Sequence, residues 1–260
     1  MSVSANLRYQ PSSTRVLRKV FAVSLLLHGL VYLFFAFVDA IDVYLTYGEL
    51  NELEFSQATY DLYNYVFVVA ARGSLLTLFS TQIIYLVYVY RLNRNASCMK
   101  GARPSLSPGW AVGIYFVPIF NFVLPYMNLQ ELSKIGRCAT SLWKKQPNSL
   151  LVNLYWMAVV GSRLLVVGGV SLGRSESLEV RLQAACMNVA ANFVVIASCY
   201  LAWRAFTQID RQITTQISNR QVVDQWSCPQ CFEQVAVAEK VCPMCGAGCE
   251  SEVSVGVLPV

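Results

Sequence analysis

The sequence predicts an all-α, multi-pass membrane helix bundle with a small C-terminal Cys₄ zinc ribbon. Three observations carry this. First, the 260 residues are 55% hydrophobic and only 13% charged, about half the charged share of a soluble domain. That is too little to cover a water-facing surface. Second, apolar runs of about 20 residues, the length that crosses about 30 Å of hydrocarbon, recur along the chain. Third, two Cys-x-x-Cys pairs stand close together near the C-terminus.

Residues 1–19 form a basic tail with Arg8, Arg15, Arg18 and Lys19. The first span, 20–38, begins as a signal peptide does, but it outruns the h-region of about 7–15 residues and is read as a retained anchor. Further spans are predicted at 73–90, 150–170 and 182–203, all within a membrane domain of residues 20–205. The connections carry the orientation signal. The stretch 39–61 contains no Lys or Arg but has Asp39, Asp42, Glu49, Glu52, Glu54 and Asp61. The next connection holds Arg91, Arg94, Lys100 and Arg103, and a later one Lys134, Arg137, Lys144 and Lys145. Basic connections stay in the cytoplasm. This places the N-terminus and the zinc ribbon on the cytoplasmic side of the cell membrane and the acidic connection outside. The same rule accounts for the net charge of +5 better than nucleic-acid binding does.

Segment 107–126, "SPGWAVGIYFVPIFNFVLPY", is apolar but contains Pro118, Asn121 and Pro125. Both flanks are basic, so both ends belong on one side. Proline removes an N–H and clashes with the preceding turn, which supplies the break. The segment is therefore read as re-entrant or kinked between four spans, with Asn121 positioned to bond a freed carbonyl. The alternative is a proline-kinked fifth span, which puts one basic group outside. Residues 127–145 follow, with Leu129, Leu132, Ile135, Ala139 and Leu142 at helical spacing among lysines. This predicts a basic amphipathic helix on the membrane surface. After the last span, 206–226 reads as a polar helical stalk, 227–249 as the ribbon and 250–260 as a loose tail.

The ribbon carries the strongest chemical signal. Cys228 and Cys231 in "CPQC" and Cys242 and Cys245 in "CPMCG" aim four thiolates at one point, the tetrahedral shell that suits one structural Zn²⁺. A short hairpin is expected within 232–241. So small a segment buries too little core to fold alone, so the metal supplies the folding free energy. A rubredoxin-like iron site uses the same ligands but needs a larger shielded core. A redox role uses one such pair on a thioredoxin-like fold. Cys249 is a spare thiol.

Polar residues inside the spans form a second candidate site. His28 is the only histidine, about 13 Å from Lys19 along a helix. Gln82 lies at a similar depth from Arg91. Asn192 lies about 18 Å from Arg204, and Asn188 shares its helix face. With Asn121 they outline a polar membrane site. The competing reading is hydrogen bonding between helices, with Ala184, Ala185, Ala190 and Ala191 permitting close approach. Arg72 is placed to pair with Asp39 or Asp42, and Arg163 to snorkel outward.

The run "YRLNRNA", then Ser107-Pro108-Gly109-Trp110-Ala111-Val112-Gly113, Val117-Pro118 with Asn121, and Pro125-Tyr126, resembles an uncharacterised bacterial membrane-protein family, domain of unknown function family 4328. The resemblance covers roughly residues 60–215. It implies a multi-pass membrane domain and no known activity.

The residues thus predict a non-enzymatic membrane scaffold or regulator whose cytoplasmic zinc ribbon docks another protein. No nucleophile–base pair or carboxylate dyad shares a depth. The alternative is a small-solute transporter or channel using the broken segment and the midplane polar residues, the pattern of broken helices around a central site.

Overall fold

The computed structural model describes residues 11–99, 102–118, 120–223, 225–227, 230 and 234–236. Six α-helices follow in order: α1 Arg15–Leu50, α2 Gln57–Ser97, α3 Pro108–Gly113, α4 Leu124–Arg137, α5 Leu150–Leu172 and α6 Leu178–Val223. Two strands, β1 Gln225–Ser227 and β2 Gln234–Ala236, come last. The chain divides into two compact units after Ile213. Among the described residues, α1, α2, α5 and α6 are long and apolar enough to cross a membrane.

Helices α1 and α2 form a long antiparallel hairpin. Phe35 meets Phe67, His28 meets Thr77, and Phe21 meets Tyr85 and Tyr88, pairs that step in opposite directions along the two helices. Both helices outrun their predicted spans. The 36 residues of α1 rise about 54 Å, well beyond about 30 Å of hydrocarbon. No proline interrupts residues 38–56. Val38, Leu45 and Thr46 stay buried there, so packing carries the helix through the acidic stretch. At its end the Phe55 ring lies where a Cβ of Gly48 would sit. The chain turns through Glu52 at φ 58°, and Ser56 caps α2 by accepting from the Thr59 N–H at 3.3 Å.

Segment 107–126 is not a continuous helix. Ser107 caps α3, which Pro108 opens. After a 3₁₀ turn at Ile114–Phe116, Val117 is extended at φ −99°, ψ 109°, the conformation forced on a residue that precedes proline. Pro125 then stands in the first turn of α4, where its missing N–H costs nothing. One proline ends a helix and the other begins the next. The bond expected from the Asn121 side chain comes from its backbone N–H instead, to the Val117 carbonyl at 2.9 Å.

Two further expectations are corrected. The helix predicted over 127–145 ends at Arg137, and Ser141–Lys145 forms a separate 3₁₀ turn. Its apolar face does not lie free for lipid, since Leu129, Leu132 and Ile135 are wholly buried. Gly136 explains part of this: its missing Cβ lets α4 approach Gln212 and Ile213 of α6. The polar stretch after Arg204 also begins as core rather than stalk, because Phe206, Ile209, Asp210 and Ile213 are buried.

Within lipid, burying one apolar side chain against another gains little, so close packing and polar contacts do more. Against Gly169 of α5 sits the Asn188 amide oxygen of α6, where a Cβ would be. Ala184, Ala185 and Ala191 are buried as expected, while Ala190 is exposed.

Candidate functional site

The polar residues predicted to gather near the midplane are dispersed. His28 Nδ1 lies 3.0 Å from the Thr77 hydroxyl. Gln82 is exposed, one position round the helix from Thr81, whose hydroxyl donates to the Ser24 carbonyl at 3.3 Å. Asn188 fills the space at Gly169. Asn121 sits in the turn before α4. Asn192 donates to Asp39 Oδ2 at 2.7 Å, both residues being buried. Asp39 therefore pairs with an amide rather than with Arg72. Arg72 and Arg163 are both exposed.

What the helices do bring together is aromatic. Phe21, Tyr85, Tyr88 and Phe206 interlock with ring centroids 5.2–6.2 Å apart. Tyr115 reaches in from the broken segment, its hydroxyl 2.6 Å from that of Tyr85, and Tyr155 of α5 meets Phe206 edge-on with centroids 6.3 Å apart. The two hydroxyls satisfy each other among these rings, and their bond pins the broken segment to α2.

A polar cluster that sequence reasoning missed lies at the start of α1, beside these rings. Asp210 is fully buried, accepts from the Thr14 hydroxyl at 2.5 Å and pairs with Arg18 at 3.1 Å. Beside the start of α1, Asn95 clasps the Ser12 backbone, accepting from its N–H and donating to its carbonyl, each at 2.9 Å. The signal for Asp210 was present: Phe206, Ile209 and Ile213 recur at helical spacing, and Asp210 shares their face.

Cys228, Cys231, Cys242 and Cys245 lie outside the described residues, as do Cys249 and the tail 250–260. The strands beside the first pair are described. β1 and β2 are antiparallel, with Trp226 opposite Val235 and Ser227 opposite Gln234. The connection between them therefore contains Cys228 and Cys231. These strands bracket the first Cys-x-x-Cys pair in sequence; most of the hairpin expected within 232–241 lies outside the described residues. Among the described residues no group of His, Cys, Asp or Glu is arranged to hold a metal.

Comparison with curated proteins and with solved structures finds no match. Three of the membrane-length helices (α2, α5 and most of α6), the proline-broken segment and the tyrosine that anchors it fall within residues 52–211, while α1 precedes them; over that range the chain matches, and belongs to, the family described as Domain of unknown function (DUF4328).

Proposed function

We propose that this chain is an integral membrane scaffold or regulatory protein whose cytoplasmic zinc ribbon docks another protein. The carrying observation is the β1–β2 hairpin, with Cys228 and Cys231 in its connection. A Cys-x-x-Cys turn can supply two thiolates to one metal ion. Cys242 and Cys245 complete a four-sulfur donor set of the kind that holds Zn²⁺ in closed structural sites. A catalytic zinc keeps one position open for water. Four protein ligands leave none, so the ribbon offers a surface rather than a reactive metal.

The membrane unit supports the same reading. Its interior at Phe21, Tyr85 and Phe206 is filled by interlocked rings. Its buried polar residues Asp39 and Asn192 are spent on each other. Both features favour a framework over a solute path. In this reading the N-terminus, the Arg91–Arg103 connection, α4 and the ribbon are cytoplasmic, and the α1–α2 turn and the Arg174 connection face outward.

The test combines metal analysis with partner capture. The purified chain should carry about one Zn²⁺, the number that four cysteines hold, and Cys242→Ser should release it. Cross-linking should capture a partner with the full chain and lose it on deletion of residues 226–260. Iron in place of zinc refutes the site. If the truncated chain keeps every partner and its liposomes pass a solute that empty ones exclude, the transporter reading replaces this one.

A further inference from the structure

We propose that a cleft beside α4 holds the phosphate of a phospholipid headgroup. The cleft, of about 350 Å³, lies between α4 and the 3₁₀ turn Ser141–Lys145 and is lined by Tyr126, Glu131, Lys134, Trp143, Lys144 and Asn148 among others. The inference does not depend on the ribbon.

Position is the first argument. Asn148 stands just before Leu150, where the membrane-length helix α5 begins. The cleft is therefore level with the end of a span, where headgroups lie. Met127 lines it with 48% of its surface exposed, and the nearby chain presents Leu142 and Leu150 outward, at 54% and 69%. Apolar groups turned outward beside two lysines suit the boundary between acyl chains and headgroups. Trp143 fits the same level, since tryptophan favours that layer.

Charge is the second argument. Neither Lys134 nor Lys144 forms an ion pair among the described residues. The Lys144 ammonium lies 5.6 Å from the centroid of the buried Trp143 ring, which holds it near the cleft. Glu131 also lines the cleft, but both its oxygens are engaged, accepting from the Ser105 N–H at 2.8 Å and its hydroxyl at 2.6 Å. Two ammonium groups against one occupied carboxylate leave an excess positive charge with donors to spare. A phosphodiester brings one negative charge and acceptor oxygens, the complement of donor-only lysines.

Preorganisation is the third argument. Gln130 donates to Asn153 Oδ1 at 2.6 Å and to the Ser149 carbonyl at 3.2 Å, and accepts from the Ser149 N–H at 2.7 Å. Tyr126 donates to the same Asn153 oxygen at 2.9 Å. These bonds tie α4 to the head of α5, so the cleft keeps its shape without an occupant, as ligand sites usually do.

The experiment uses the full chain in detergent, titrated with phosphatidylglycerol, phosphatidylcholine or inorganic phosphate, with bound lipid counted by native mass spectrometry. Phosphatidylglycerol should bind the wild type. It should bind K134Q/K144Q about thirtyfold more weakly and K144Q about fivefold, the effect of lysines beside an anionic surface. Lys144 is exposed, so K144Q remains informative if the double variant fails to fold. K134R/K144R should retain binding, and K145Q, outside the cleft, should bind like wild type. Phosphatidylcholine should bind less well, because its quaternary ammonium meets the lysines. Equal phosphatidylglycerol affinity for wild type and K144Q overturns the proposal. Protection from thermal unfolding by inorganic phosphate, with no lipid retained, assigns the cleft to a soluble phosphate and overturns it as well.

Discussion

Asp210→Ala should destabilise the membrane unit more than any other truncation of a polar residue at that end of the bundle. The carboxylate is fully buried and holds two donors, Thr14 and Arg18. Removing one side of a buried pair costs about 3–5 kcal/mol. The Arg18 side chain keeps 30% of its surface, however, so its guanidinium can turn to water on its apolar stem. That leaves the lost Thr14 bond, part of the ion pair and a small void, together about 2–3 kcal/mol. At about 2–4 °C per kcal/mol for a chain of this size, the unfolding midpoint should fall by about 4–12 °C. Asp210→Asn keeps an acceptor for Thr14 and loses only the charge, so its cost should be nearer 1 kcal/mol. The measurement is thermal unfolding in detergent micelles, repeated with Arg18→Met alone and combined with Asp210→Ala. The combined variant should lose less than the two single losses added, because the pair is already broken. If Asp210→Asn matches Asp210→Ala, charge and bond have been assigned wrongly. If both unfold with wild type, the cluster stabilises nothing.

Other outcomes follow from the same contacts. Tyr85→Phe removes the hydroxyl that bonds Tyr115 at 2.6 Å and should cost about 1–3 kcal/mol, whereas Tyr155→Phe, at a hydroxyl outside that bond, should cost less; thermal unfolding ranks the two. Cys138 is half-buried, and its hydrogen bond with Thr140 holds its pKa below the ordinary thiol value, while burial pushes that of Cys98 up. The Cys138 thiolate therefore forms at lower pH, so near neutrality a small alkylating reagent should modify Cys138 first, and Thr140→Val should slow that reaction, as peptide mass mapping would reveal. In a cysteine-depleted variant, single cysteines replacing Asn51 and Gln146 should label from opposite sides with an impermeant thiol reagent; labelling of the Gln146 site from outside would mean that segment 107–126 crosses.

The four long helices were legible because lipid demands long apolar runs and the chain has little else that is long and uncharged. Their ends were not. Hydropathy marks where lipid stops, whereas α1 stops where packing stops, twelve residues later at Leu50, and α6 keeps a packed face to Ile213. Counting residues from a basic boundary gives height but not direction round the helix. His28 meets Thr77 while Thr81 meets Ser24, so Gln82 lies about one turn from the level of His28, and it faces away from α1 where Thr81 faces it, a rotation of about 100°. The partner of Asn192, Asp39, looked like part of the acidic connection. The amphipathic pattern of α4 was read correctly and its partner was not, since an apolar stripe fits a bilayer surface and a neighbouring helix equally well.

The broken segment shows how a proline-rich stretch can lie beside lipid at all. Hydrocarbon offers no water to freed backbone groups, so each must find a partner in the protein. Around the break, the Phe120 and Asn121 N–H groups both return to the Val117 carbonyl, and the Leu124 N–H reaches the Phe120 carbonyl. The Phe122 carbonyl accepts from the Trp156 indole of α5 at 3.0 Å. Tyr115 fixes the other arm to α2. The six residues of α3 and the three of the 3₁₀ turn rise about 15 Å together, about half the hydrocarbon thickness. Beyond them the helix does not run on, since Val117 is extended and the turn bonds close on the Val117 and Phe120 carbonyls. So short and broken a segment, tied to α2 and α5, is what the proposed re-entrant reading requires. That supports keeping the basic groups before and after it on one side of the membrane, as the lysines and arginines there require.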